Sequence, residues 1–194
     1  MRVASVLLLV LMAVGCDKKD ATPTRETTTP KPDIRVVTSW KPYTADAVKF
    51  KVDFPLGDPT VRPVFFGNKP NAVLEGWDYA VDVYKGSGPD FYQFGIRAAR
   101  FHPNPKPADK DETFDILTKL LPPKGWTKSE PKTVTWAGQQ ATETIWSDPA
   151  KPTRLTIRHF VNDTGVYVGY VRDLGALPPD EIAKFFDGFQ LLAK

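Results

Sequence analysis

Trp77-Asp78-Tyr79-Ala80-Val81-Asp82-Val83, and after a turn Phe91-Tyr92-Gln93-Phe94-Gly95-Ile96-Arg97-Ala98-Ala99-Arg100-Phe101, are the runs that decide the fold. In the first, Trp77, Tyr79, Val81 and Val83 fall on one side, with Asp78, Ala80 and Asp82 on the other. In the second, Tyr92, Phe94, Ile96 and Ala98 alternate with Gln93, Gly95, Arg97 and Ala99. A period of two is the pattern of a strand that buries one face. Gly86-Ser87-Gly88-Pro89-Asp90 lies between the runs and reverses the chain, so the pair reads as an antiparallel hairpin.

Toward the N-terminus, Phe50-Lys51-Val52-Asp53-Phe54 alternates in the same way and stops at Pro55. Val61–Phe66 is a further strand that Pro63 confines to an edge or a loop, and Ile34–Val37 is a short candidate edge strand. Toward the C-terminus, Phe114, Leu117 and Leu121 make a helical stripe widened by Leu120, with Asp109 or Asp111 as cap and Pro122-Pro123 as stop. Two more hairpins follow, turning at Ala137-Gly138-Gln139-Gln140 and at Asn162-Asp163-Thr164-Gly165, where Asn-Asp suits a backbone with positive φ. A last helix, Pro179–Gly188, carries the stripe Ile182, Phe185, Phe186, Phe189. The expected fold is α+β: a mainly antiparallel sheet of about six to eight strands with flanking helices.

Residues 1–15 read as a secretory signal. Arg2 is the charged start, Val3–Val14 is apolar except for Ser5, and small residues precede Cys16. As a helix the apolar run rises only about 18 Å, too short for a hydrocarbon core of about 30 Å. Residues 16–33 follow as a tether. Asp17–Asp33 holds five Thr, three Pro and no aromatic or branched aliphatic residue, so it cannot offset its own ordering entropy. Its reach is roughly 20–25 Å as a coil and about 50 Å in polyproline II. Residues 34–194 form one globular domain. The formal charge of +3 falls by one, to +2, when Arg2 leaves with the signal, too mild a balance for nucleic acid.

Ala13-Val14-Gly15-Cys16 resembles the lipobox of bacterial lipoproteins, with alanine at position 13 where leucine is usual. The resemblance implies lipidation of Cys16, cleavage before it, and attachment to a membrane of the cell envelope on its periplasmic or extracytoplasmic face. Cys16 is the only cysteine, so an exported monomer has no internal disulfide. Several acyl chains, at about 0.8 kcal/mol per CH₂, make such an anchor permanent.

The element order over Trp40–Leu192 resembles the PsbP/Mog1-like fold, which includes uncharacterised bacterial lipoproteins. The residues that carry the likeness are Phe50-Lys51-Val52-Asp53-Phe54-Pro55, Gly138 and Glu143, and Phe185-Phe186-Asp187-Gly188-Phe189. The resemblance implies an α/β/α sandwich. The family's partner surfaces, for a membrane protein assembly in PsbP and a small GTPase in Mog1, cannot be matched onto residues of this chain.

No catalytic set emerges. Neither histidine, His102 in a loop nor His159 in a strand, has zinc-site spacing. His159 shares a strand face with Leu155 and Ile157 and reads as a hydrogen-bonded core or rim residue. No serine stands in a Gly-x-Ser-x-Gly elbow, and Gly86-Ser87-Gly88 lacks the lysine of a phosphate loop. Asp78 and Asp82 lie about 13 Å apart along a strand, too far for a glycosidase pair, and read as solvated carboxylates. No cofactor or metal site is expected. Arg154 and Arg158 share a strand face, and with Arg97 they could present a small anion or partner surface. Trp77, Tyr79 and Trp136 could line an aromatic pocket between sheet and helices.

The leading expectation is therefore a lipid-anchored, non-catalytic domain that binds or assembles an envelope protein. A small-ligand carrier using the aromatic pocket is the alternative, with an envelope hydrolase third. The sequence leaves oligomeric state open.

Overall fold

The computed structural model describes residues 37, 39–66, 73–84, 91–119, 121–175 and 177–193. Cys16, the signal, the tether and the turns at 67–71 and 86–90 lie outside the described residues. The elements run β1 (Trp40–Ala45), β2 (Phe50–Pro55), β3 (Thr60–Pro63), β4 (Val73–Tyr84), β5 (Phe91–Phe101), α1 (Pro107–Thr118), β6 (Thr127–Lys128), β7 (Lys132–Trp136), β8 (Gln139–Ser147), β9 (Arg154–Val161), β10 (Gly165–Asp173), α2 (Pro179–Asp187) and β11 (Gln190–Leu191).

The expected α+β class holds, but the strands divide between two sheets. Eight make one sheet in the order β3-β4-β5-β10-β9-β8-β6, with β7 also paired to β8; β1, β2 and β11 make a smaller one in the order β1-β2-β11. All pairs are antiparallel. The deciding hairpin is β4–β5, with Trp77 opposite Ala98, Tyr79 opposite Ile96 and Val81 opposite Phe94. β3, with its Pro63, is an edge strand of the large sheet.

Each face of the large sheet has its own core. Tyr79, Phe94, Ile96, Tyr167, Phe160 and Trp136 pack with Phe50, Val52 and Phe54 of the small sheet and with Phe185, Phe186 and Phe189. The other face puts Ala99, Val168, Ile157 and Tyr170 against Leu117 of α1. The helices thus cover opposite faces.

Local chemistry accounts for the boundaries. α1 begins earlier than expected because Pro107 supplies a preset φ at its first turn, while the Asp109 carboxylate accepts the Lys106 N–H at 3.2 Å. Ala137 and Gly138, at φ 51° and 72°, form the two-residue turn that matches strand twist. The turn at Asn162 needs no positive φ. Its side-chain oxygen instead accepts the N–H groups of Thr164 and Gly165 at 2.9 and 3.0 Å.

Candidate functional site

Where the chain reversals gather at one end of the sheets, they enclose a cavity of about 520 Å³. Lys49 comes from the β1–β2 turn, Arg100 and Phe101 from the end of β5, His102 and Pro103 from the loop after it, and Leu191 and Leu192 from the C-terminal segment. Register slips by a residue between Val73 and Glu75, and Leu74, the residue passed over, is 43% exposed on the cavity wall. The frame is hydrogen-bonded. The Leu192 N–H donates to the Lys49 carbonyl at 2.9 Å, the Tyr167 hydroxyl to the Val48 carbonyl at 3.0 Å, and the Phe101 N–H to the Thr164 carbonyl at 2.9 Å. Lys110 straps the rim to Asp163 at 2.6 Å. Burial raises the Tyr167 phenol above its ordinary value, a shift moderated by the Thr164 hydrogen bond and the Arg100 charge. Among the described residues, Lys49 and Arg100 make no ion pair. The site therefore joins positive charge to apolar wall.

The arginines singled out from the sequence are not brought together. Arg154 and Arg158 do share a face of β9, but Arg97 is on the opposite face of β5, with β10 in between. Each has a carboxylate: Arg154 with Asp173 at 2.7 Å, Arg158 with Glu143 at 2.6 Å, and Arg97 with Asp78 at 3.2 Å. The first two are direct cross-strand neighbours, as are Arg97 and Asp78. Asp78 is correspondingly no solvated carboxylate. It is 18% exposed and also accepts the Tyr170 hydroxyl at 2.9 Å.

The aromatic trio is built into the core. Tyr79 is 3% exposed, edge-on to Phe50 and tilted against Tyr43, and burial raises its phenol pKa. Trp136 is boxed by Phe160, Phe186 and Phe189, and its indole N–H donates to the Phe186 carbonyl at 2.8 Å. Trp77 is half-buried against the same cluster.

A cavity of about 430 Å³ opens between α1 and the β6–β8 end of the sheet, lined by Phe114, Lys128, Trp146 and His159 among others. His159 lies against Phe114 with centroids 4.4 Å apart, but its Nδ1 is buried with no hydrogen-bond partner among the described residues, where a hydrogen-bonded role is expected from sequence. Burial, then the charge of Lys128, holds its pKa below the ordinary 6.5. Among the described residues no group of three or more His, Cys, Asp or Glu is placed to hold a metal ion, and no helix is long and apolar enough to cross a membrane.

Sequence reasoning missed Lys49, Arg100 and Arg172. The first two stand at element ends, and only the pairing of β11 with β2 and of β10 with β5 brings those ends together.

No protein-family model matches the chain, and no curated protein matches it. Among solved structures it is similar to LpqN, described as involved in cell envelope biogenesis of Mycobacterium tuberculosis. Identity is 16% over 80% of this chain and 91% of that one, with a TM-score of 0.44. A superposition that loose carries no argument for this chain.

Proposed function

We propose that the chain is a lipoprotein of the bacterial cell envelope, held to a membrane through Cys16, whose PsbP/Mog1-like domain binds a target rather than transforming it. The observation that carries this reading is Ala13-Val14-Gly15-Cys16 closing a short apolar run, followed by a Thr/Pro tether of the kind that holds a domain off a bilayer. Palmitate labelling of cells expressing the chain, beside its Cys16→Ser variant, tests it. The expected result is label in the parent alone, and equal labelling of both removes the anchor. An envelope protein as target is tested by cross-linking in intact cells: one saturable adduct is expected, and none under native expression counts against it.

A second reading is favoured by the cavity at the sheet end. At about 520 Å³ it falls within the range of sites that enclose small molecules. Lys49 and Arg100 beside Leu74, Leu191 and Leu192 suit an amphiphile with an anionic head. In this reading the domain is a tethered carrier, with its ligand at the sheet end and not beside Trp77, Tyr79 and Trp136. Native mass spectrometry of the full chain released from membranes tests it: a bound anionic amphiphile is expected, lost in Lys49→Gln/Arg100→Gln. An unliganded mass throughout sinks the carrier reading and leaves the anchor untouched.

A further inference from the structure

On the α1 face of the large sheet, Arg172 makes no ion pair among the described residues. It lines a cleft of about 210 Å³ with Gln93, Arg97, Tyr170, Trp126 and Leu155, a set that shares no residue with the larger cavity. Its guanidinium lies 5.5 Å from the centre of the Phe91 ring and 6.0 Å from that of Trp126. Those contacts orient it but accept no hydrogen bond in the plane of the group. Its Nε–H is buried and has no acceptor among the described residues, whereas Nη1 and Nη2 are not so enclosed. Buried donors are normally satisfied, and an unsatisfied donor on a charged group is the costlier kind.

The Arg97 guanidinium beside Arg172 is already matched. Arg97 donates from Nε to Asp78 and from Nη1 to the Leu117 carbonyl at 3.0 Å, and Asp78 also takes the Tyr170 hydroxyl. Burial, with Asp78 beside it, raises the Tyr170 pKa, so the phenol stays a neutral donor. Asp82 accepts the Gln93 amide at 2.7 Å. Among the described residues, Arg172 makes no ion pair, and Asp82, whose charge reaches Tyr170 of the cleft, is taken up with the neutral Gln93 amide and not with a guanidinium.

We infer that this cleft binds a small monocarboxylate, seated across Nη1 and Nη2 of the Arg172 guanidinium with its apolar part against Trp126 and Leu155. The planar fork of a guanidinium matches a carboxylate bidentately, and with the Asp82 carboxylate close by, one guanidinium suits a monoanion better than a phosphate dianion. Apolar walls favour an organic anion over an inorganic one.

The test is nuclear magnetic resonance on the ¹⁵N-labelled full chain in zwitterionic detergent, titrated at constant ionic strength with acetate, benzoate or inorganic phosphate. The Trp126 indole N–H signal, assigned by its loss in Trp126→Phe and kept in every position-172 variant, is expected to shift and saturate with a carboxylate, with Kd on the order of 1 mM. Arg172→Gln is expected to weaken binding at least about tenfold, while Lys132→Gln, an exposed edge change, leaves it unaltered. If Arg172→Gln does not fold, Arg172→Lys serves instead: it keeps the charge but loses the fork, and the same loss is expected. No saturable shift with either carboxylate, or unchanged affinity in the position-172 variant, overturns the site. Phosphate saturating it as tightly as benzoate overturns the monocarboxylate assignment.

Discussion

The face of the large sheet turned toward α2 is filled with rings, whereas the face turned toward α1 combines guanidinium groups with clefts. On the α2 side, Phe50, Phe54, Phe94, Phe185, Phe186 and Phe189 are 0–2% exposed and contact one another or Trp136, Tyr79 and Phe160 edge-on or tilted. On the α1 side, Arg97, Asp78 and Tyr170 form a charged network, and cavities of about 210 and 430 Å³ interrupt the packing. Close-packed rings fix a single arrangement. Incomplete packing around charges lowers stability but leaves room for a ligand. Binding capacity is thus expected on the α1 face and at the sheet ends, with most of the stability on the α2 face.

Truncation on each side should break or sharpen this contrast most. Trp136→Ala removes a ring that is 2% exposed and its hydrogen bond to the Phe186 carbonyl, which then keeps the Phe189 N–H at 3.2 Å, so a loss of about 3–5 kcal/mol is expected. Phe114→Ala, at a half-buried position already beside a cavity, should cost only about 1–2 kcal/mol. Denaturant midpoints at unchanged slope measure both. Equal losses would show that the α1 face is packed as tightly as the other.

Adding a methyl group probes the same contrast from the opposite direction. Gly169 and Gly95 lie on neighbouring strands, β10 and β5, and open onto opposite faces. A Cβ at Gly169 would come within 2.9 Å of both Trp136 and Phe186, rings with no space to yield, so Gly169→Ala should cost about 3 kcal/mol. A Cβ at Gly95 would collide with the Tyr170 ring, which borders a cleft and would have to turn into it, giving up its hydroxyl's bond to Asp78. Gly95→Ala should cost about 2 kcal/mol, most of it the lost Tyr170–Asp78 hydrogen bond, and close the cleft to carboxylates. A Gly95→Ala protein as unstable as Gly169→Ala would contradict the slack assigned to that side.

How much of this was legible in sequence depended on whether alternation or pairing carried the information. Alternation placed Tyr79 with Trp77 and Val81, and the same parity put Arg158 with Arg154. It could not show that Asp173 lies opposite Arg154 or Glu143 opposite Arg158, because those are facts of register between strands. It therefore left the two arginines looking available. Nor could it put Arg172 opposite Gln93, which requires β5 beside β10. The two-residue strands β6 and β11 are too short for any periodicity; Gln190 becomes a strand residue only by meeting Lys51. β1, with Pro42 and exposed Lys41, is an edge strand of the small sheet. That small sheet covers Tyr79 and turns the supposed pocket wall into core.

The cross-strand pair of Arg158 and Glu143 gives a smaller effect. Both side chains are under 20% exposed, and the guanidinium also lies 4.5 Å from the centre of the Phe186 ring. Arg158→Gln should cost about 1–2 kcal/mol, since it strands a partly buried carboxylate. The double variant Arg158→Gln/Glu143→Gln should regain part of that loss. Strict additivity would mean that the pair contributes nothing as a pair, and that the stability of this edge rests on ring packing alone.

The smallest effect separates the two faces by pH. The α2 block holds tyrosines such as Tyr79 and Tyr167, whose burial moves them further from neutrality. The α1 face holds His159, whose pKa burial and Lys128 push below 6.5. In the unfolded chain this imidazole takes up its proton near 6.5; in the folded protein it does so only at lower pH. Between the two values the unfolded state binds more protons, so acid favours unfolding there, and the stability contributed by a neutral His159 is fully present only above the unfolded value. His159→Gln loses the contact with Phe114 and should be less stable than the parent at pH 7.5. Its deficit should shrink as pH is lowered toward 5, because only the parent then loses stability through this residue. Thermal midpoints of both proteins across that range measure the gap, and the imidazole resonance gives the pKa directly. A deficit that grows on acidification would require a carboxylate facing the imidazolium, and the α1 face would then be a second charged network instead of a cleft that keeps its histidine neutral.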